Sequence, residues 1–510
     1  MSEQSRGSRG SRGPQGPRGP RQRSAQPPSS RTRRTDPARR AAYDVLRAVE
    51  DRDAYANLVL PGLLRSRQLT GRDAAFATEL AYGTLRWQGT YDAVLDACLD
   101  KPLQGDPGLR DAMRLGVHQL LGMRVQAHAA VSETVGLVRE AVGVGPSGLA
   151  NAVLRRVGER DLAAWVAELA PSAEQDLVGH LALAQSHPAW VVRAMRDGLA
   201  AHDGGLRADT ERLDRELAEL LAADNQPPAV TLVARPGLST PEELSTAEGA
   251  HPGRWSPYAV VAAGDPGALA AVREGRAGVQ DEGSQLVAAA LAAAPLEGRD
   301  ERWLDLCAGP GGKSALLGAL AAGRGARLVA NEVAPHRAQL VRQAVGMLGD
   351  AVEVREGDGR ELGRQEPAAY DRVLVDAPCT GLGALRRRPE SRWRRQPGDV
   401  GALGRLQRDL LGSALDATRP GGLVAYVTCS PHVGETLLVV QDVLRRRTDV
   451  ESVDARPILG GVVPEGRDRL DGTLGDGPAA QLWPHRHGTD AMFLALLRRT
   501  STSGSSDQPR

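Results

Sequence analysis

The feature that most restricts the fold is the alternation of short apolar runs with helical patterns over residues 300–498. β-prone segments are expected at 302–307, 326–332, 351–355, 371–376 and 423–429, with later ones near 449–454 and 492–497. Helical patterns fill 313–322, 334–348, 401–417 and 434–446. This rhythm predicts a mainly parallel sheet with helices on both faces. Ligands of such a sheet bind outside the carboxyl ends of its strands. Three strand ends there carry reactive side chains: Asp305-Leu306-Cys307, Asp376-Ala377-Pro378-Cys379 and Val427-Thr428-Cys429-Ser430.

The rest of the chain divides by composition. A length of 510 residues predicts several domains. Residues 1–36 hold nine arginines among Gly, Ser and Pro, and are expected to be disordered, as a solubilising tail or a sequence-blind RNA tether. Residues 37–170 read as helices: Ala42, Val45, Leu46 and Val49 fall on one face, and similar spacing recurs to Val157. His118 and His128 are expected at the surface or core edge. Residues 171–285 read as a small α+β module, with a polar helix over 213–223 and a strand at 229–233. Asp281 or Ser284 is the expected N-cap of a helix over 286–294. The domain with the alternating pattern spans 286–500, and 501–510 is a second polar tail.

Composition excludes several classes. The net charge of +1 gives no global nucleic-acid signal. Four scattered cysteines, Cys98, Cys307, Cys379 and Cys429, make no disulfide framework and no CxxC pair, so no metal is expected and a reducing cytoplasm is. No apolar run is long enough to span a membrane.

After the first strand comes Cys307-Ala308-Gly309-Pro310-Gly311-Gly312-Lys313-Ser314. Glycines at a helix start let backbone approach a ligand closely. Cys307 stands where a triphosphate loop needs its first Gly, and Ser314 where GxGxxG needs its last, so the loop is neither. The next strand ends at Asn331-Glu332, an acid placed for ribose hydroxyls. The third is followed by Gly357-Asp358-Gly359, an acid placed for an adenine amino group, and the fourth ends in Asp376. A nucleoside cofactor without polyphosphate fits this series, and S-adenosylmethionine is that cofactor.

Cys98 reads as a packing residue, and Cys307 as part of the loop geometry. Cys379 and Cys429 lie where the substrate belongs, and a thiolate there can attack carbon. Methylation at C5 of cytosine demands such a group. Thiolate addition at C6 makes C5 nucleophilic, and a proton or hydrogen bond at N3, as Asp376 can supply, favours the addition. H5 must then leave and the thiol be expelled, a step a second thiol can assist. The residues alone do not say which cysteine attacks. The basic run Arg386-Arg387-Arg388, with Arg392, Arg394 and Arg395 around Trp393, is expected to contact phosphates, with Trp393 packing or stacking.

Two resemblances follow. Glu79 to Arg86, Leu115 to Leu121 and Ala150 to Arg155 resemble the RNA-binding helical domain related to the antitermination factor NusB. The loop 305–313, the segments Asp376 to Gly381 and Thr428-Cys429-Ser430, Arg386 to Glu390 with Trp393, and the ending Asp490 to Arg498 resemble the RsmB/NOL1/NOP2/sun family of RNA 5-methylcytosine methyltransferases. The resemblance implies an all-α NusB-like N-terminal domain, a small α+β middle module and a Rossmann-like class I methyltransferase domain. It implies Cys429 as nucleophile, Cys379 as the thiol that assists product release, and cofactor contacts from Cys307 through Lys313, Glu332, Asp358 and Asp376. Gly309 stands for a common Ala, Ser314 for Thr, Glu332 for Asp and Thr380 for Ser, and residues 203–223 are longer and more polar than the family pattern. The expected function is methylation of small-subunit rRNA by a cytoplasmic monomer. The alternatives are the same chemistry on tRNA, a noncatalytic RNA-binding assembly factor, or a thiol oxidoreductase, against which the lack of CxxC argues.

Overall fold

The computed structural model describes residues 35–101, 103 and 105–500. The two tails expected to be disordered lie outside the described residues, apart from Thr35 and Asp36. Asp36 is the N-cap of the first helix and accepts from the Ala38 N–H, which also meets Pro37 at the position where a missing N–H costs nothing.

The helical patterns after Asp36 fold as Pro37–Arg52, Ala56–Ser66, Gly71–Arg86, Gln88–Ala97, Pro107–Val117, Ala127–Ala141, Ser147–Val157 and Leu162–Leu169. Their apolar faces meet in one core that includes Leu46, Leu80, Leu95, Met113, Leu115, Val138 and Leu154. Cys98 packs there, as its helical apolar context implies. His118, expected at the surface or core edge, is buried, with Nδ1 2.8 Å from the Tyr91 hydroxyl. The glycines at 83 and 122 leave room for its ring: a Cβ at either would fall within 2.5 Å of it.

Residues 177–224 form the helices Leu177–Ala184, Ala189–His202, Gly204–Ala208 and Thr210–Asp224. Their apolar side chains do not make a core of their own. They pack with Leu382, Leu385, Trp483 and Ala491, contributed from far along the chain. A four-stranded antiparallel sheet follows, built from β1 (Thr231–Ala234), β2 (His251–Pro252), β3 (Ala259–Val261) and β4 (Ala277–Val279) in the order β2-β3-β1-β4. The next helix starts at Glu282, four residues before the expected position, with Asp281 as its N-cap and Ser284 inside it.

The large sheet has eight strands: β5 (Arg302–Asp305), β6 (Arg327–Glu332), β7 (Val352–Glu356), β8 (Tyr370–Asp376), β9 (Thr418–Thr428), β10 (Val450–Val453), β11 (Ala480–Gln481) and β12 (Phe493–Arg499). The order is β10-β12-β9-β8-β5-β6-β7, with β11 paired to β12. Strands β5 to β9 pair parallel, and β12 lies antiparallel to β9 and β10. Alternate residues serve opposite faces. Trp303, Leu374, Ala425 and Val427 pack against the helices Glu282–Ala293 and Gly312–Ala322. Leu304, Val373, Val375, Val424 and Tyr426 pack against Pro397–Ala417 and Leu437–Arg446. Strand order reverses at β5, with β6 on one side and β8 on the other, and this opens a crevice at the carboxyl ends. Among the described residues no helix is long and apolar enough to cross a membrane.

Candidate active site

The site is built from loops that leave β5, β6, β8 and β9 at one edge of the sheet. After β5 the chain passes Cys307 and Ala308, then a cis Gly309-Pro310 peptide, and enters the helix Gly312–Ala322 through Gly311 at φ +108°. The Asn331 amide pins this loop by donating to the carbonyls of Leu306 and Gly357, both at 3.1 Å. Cys307 is held well above the ordinary thiol range by burial and then by the charges of Asp305, Asp376 and Glu332, which favours the protonated thiol. Asp305 accepts from the Ser314 hydroxyl at 2.7 Å through Oδ2, while its Oδ1 is buried without a hydrogen-bond partner among the described residues. Burial raises its pKa to about 7.

Glu332, at the end of β6, is 2% exposed. Its Oε2 accepts from the Gly309 N–H at 2.9 Å and its Oε1 from the Ala334 N–H at 3.0 Å. Asp358 follows β7, caps the helix Gly359–Gln365 through the Arg360 N–H, and is paired with the Arg360 guanidinium. That ion pair holds its carboxyl below the usual range. Asp376, at the end of β8, accepts from the Lys313 ammonium at 2.8 Å. Burial works against the Lys313 charge, but Asp376 more than offsets it and the pKa of the lysine is raised.

The two thiols leave adjacent strands. Cys379 Sγ and Cys429 Sγ are 3.5 Å apart. The Gly383 N–H donates to the Cys429 carbonyl and the Ala491 N–H to the Gly383 carbonyl, each at 2.9 Å. A Cβ at Gly383 would fall 2.2 Å from the Ala491 oxygen, so the approach of these backbones requires glycine. The hydrogen bond between the thiols acts in opposite directions on them. It lowers the Cys429 pKa against the pull of burial, and with burial it raises that of Cys379 well above the ordinary value. The Lys313 charge also favours the Cys429 thiolate. The two shifts favour ionisation of Cys429 over Cys379, while the geometry of the contact allows either sulfur to be the donor.

Beside them Arg387 pairs with the fully buried Asp490, whose N–H donates to Asp281 at 3.1 Å. Asp281 was legible only as a helix cap. Burial first, then the Asp490 charge, raises its pKa to about 6.

The basic run is placed differently from the expectation of phosphate contacts. Arg392 is fully buried and donates to the carbonyls of Arg86, Ser186 and Asp224 and to Asn225 Oδ1, at 2.7–3.1 Å. Arg394 donates to the carbonyls of Val49 and Ala54, and Arg386 to that of Gly488. Trp393 lies against Gly89 of the N-terminal helices. These side chains join three parts of the chain, because carbonyls at helix ends need donors that a guanidinium supplies in several directions. Arg388 remains exposed, its guanidinium 5.0 Å from the Tyr55 ring centroid.

Residues 291–498 match the family model of the 16S rRNA methyltransferase RsmB/F, and residues 36–159 match that of the NusB family. Rv1407 of Mycobacterium tuberculosis, which carries a provisional methyltransferase name, is 54% identical over 92% of this chain and 98% of its own. The ribosomal RNA small subunit methyltransferase B of Pseudomonas putida is 32% identical over 91% of this chain and 99% of its own. The crystal structure of PH0851 superposes with a TM-score of 0.72 at 22% identity, covering 91% of this chain and 98% of that one, and so shares the fold. The chain belongs to the RsmB/F family of RNA methyltransferases, with a NusB-family domain at its N-terminal end.

Proposed function

We propose that the protein transfers a methyl group from S-adenosylmethionine to C5 of a cytosine in small-subunit rRNA, through a covalent bond between Cys429 and C6. The observation that carries this reading is the thiol pair, 3.5 Å apart at adjacent strand ends, beside the Lys313–Asp376 ion pair. Methylation of an exocyclic nitrogen or a ribose oxygen has no use for such a pair. The names of the Pseudomonas and related proteins support the choice of rRNA.

The residues present fit the cofactor. The loop Cys307, Ala308, Gly309, Pro310, Gly311, Gly312 and Lys313 is assigned to one wall, and the buried Asp305 Oδ1, which has no hydrogen-bond partner among the described residues, leaves an acceptor at its start. Glu332 is assigned to the ribose and Asp358 to the base. When bound, the cofactor supplies an electrophilic methyl group on a sulfonium.

The protein's own residues do the rest. Cys429, as thiolate, forms the S–C6 bond and the C5–C6 π electrons move toward C5. Asp376, once protonated, supplies the proton or hydrogen bond at N3 and also borders the cofactor. After transfer the C5 proton passes to the Cys379 thiolate or to a water that it activates, the C5–H electrons re-form C5=C6, and the S–C6 bond breaks to return Cys429 as thiolate. The cytosine must be unpaired or flipped to reach this edge. The working division is a helical RNA-binding domain at 37–170, a middle module at 171–285 and a catalytic domain at 286–500, acting as a monomer in the cytoplasm.

The test is incubation with methyl-labelled S-adenosylmethionine and unmodified small-subunit rRNA or tRNA, followed by nucleoside analysis. Label in 5-methylcytidine from the rRNA is expected. Label confined to another base position, to ribose or to tRNA would overturn the reading.

A further inference from the structure

A buried carboxylate outside the expected site residues joins the two thiol loops. Glu435 lies in the short 3-10 turn Val433–Glu435, between β9 and the helix Leu437–Arg446, and is fully buried. Its Oε1 accepts from the Thr380 N–H at 2.7 Å and from the Gln407 amide at 3.3 Å. Its Oε2 accepts from the Thr380 hydroxyl and from the Ser430 hydroxyl, the latter at 2.7 Å. Thr380 directly follows Cys379, and Ser430 directly follows Cys429. The two hydroxyls are themselves 3.2 Å apart. Gln407 also donates to the Pro378 carbonyl at 2.8 Å, so the turn before Cys379 is held by the same cluster. The Tyr426 hydroxyl donates to the Glu435 carbonyl at 2.7 Å and fixes the turn against β9.

A carboxylate with no water around it is tolerated only when its lone pairs are filled. Here every donor but one comes from a residue adjoining a thiol, and the remaining one reaches the same loop. We infer that Glu435 is a positioning residue for both cysteines, its carboxylate tying the turn after Cys379 to the turn after Cys429 and so fixing the sulfur pair. The inference rests on the proposed roles of the two thiols. Thr380, a departure from the family's usual Ser, keeps the hydroxyl that this clamp uses. The charge of Glu435 acts in the same direction as the thiol hydrogen bond and burial, which raise the Cys379 pKa.

The test uses the full-length protein and does not depend on RNA. Limited alkylation with iodoacetamide, read by peptide mass spectrometry, should label Cys429 in preference to Cys379. Glu435→Gln keeps the shape but removes the charge and puts an NH2 donor where the Thr380 and Ser430 hydroxyls donate, and the labelling ratio should fall at least fivefold while S-adenosylmethionine binding stays within twofold. In a Cys379→Ser background the same change should slow covalent capture of cytosine RNA at least tenfold. If Glu435→Gln does not fold, Thr380→Val removes one donor and leaves the carboxylate, and the ratio should fall at least twofold. An unchanged ratio in a folded Glu435→Gln, or in Thr380→Val, overturns the clamp. That result leaves Cys429 as nucleophile untouched, whereas methylation by a Cys429→Ser protein would sink the nucleophile and leave the ratio unaffected.

Discussion

Replacing Gly309 by alanine tests how the cofactor loop is matched to the acid that faces it. A Cβ at Gly309 would fall 2.3 Å from Glu332 Oε2, more than an ångström inside ordinary contact. Arg337 is also close, at 2.8 Å, but it is 42% exposed and can withdraw. Glu332 is buried and held by two backbone N–H groups, so it yields only by losing the Gly309 bond. A hydrogen bond to a charged group contributes about 1.5–3 kcal/mol. At about 1.4 kcal/mol per factor of ten, Gly309→Ala should weaken S-adenosylmethionine binding about 10- to 100-fold. Shortening the acid by one methylene vacates the space, so Glu332→Asp in the same protein should restore binding to within about fivefold. Isothermal titration calorimetry on the two single variants and the double variant measures this. Unchanged affinity in Gly309→Ala, or no recovery in the double variant, would refute the argument.

Three further outcomes are expected. Arg392→Met leaves four buried acceptors without their donor, each worth about 1–3 kcal/mol, and should cost at least about 3 kcal/mol in urea unfolding; a loss under 1 kcal/mol would show that Arg392 does not join the domains. Arg388→Ala should leave stability unchanged but reduce the slope of log affinity for RNA against log salt by about 1, and an unchanged slope would remove Arg388 from the phosphate contacts. Asp224, whose carboxylate is buried without a hydrogen-bond partner among the described residues, has its pKa raised by burial from 3.8 to about 7. The folded state therefore holds this proton more tightly than the unfolded one, and stability falls as pH rises from about 4 through 7, by of order 4 kcal/mol at about 1.4 kcal/mol per unit. Asp224→Asn should gain stability relative to the parent between pH 5 and pH 8 in paired urea titrations, and a constant difference would place the titration elsewhere.

What was legible followed from local pattern. The strands β5 to β9 and their helices could be read from period-2 and period-3.6 runs, because each buries a continuous face. The order of Gly309, Glu332, Asp358 and Asp376 along the chain mapped onto successive strand ends for the same reason. Arg392 misled because a buried guanidinium and a phosphate-binding one look alike in sequence. Its acceptors lie at 86, 186, 224 and 225, and no local spacing announces them. Glu435 was passed over as a residue of the helical pattern at 434–446, since its donors at 380 and 407 come from other elements. The departures at Gly309 and Glu332 read as two independent changes, and only their contact makes them one. The helices of 177–224 read as part of a separate module because nothing in their spacing says that Leu382, Leu385 and Trp483 complete their core.

The central claim is that Cys429 bonds to C6 of the target cytosine and that Cys379 assists release. Denaturing gel analysis of protein mixed with labelled rRNA and S-adenosylmethionine tests it most directly. Cys379→Ser protein should accumulate a heat-stable protein–RNA adduct that disappears when Cys429→Ser is added to it, and Cys429→Ser alone should transfer no methyl group. Full methylation by the Cys429→Ser protein, or an adduct that survives in the double variant, would contradict the account.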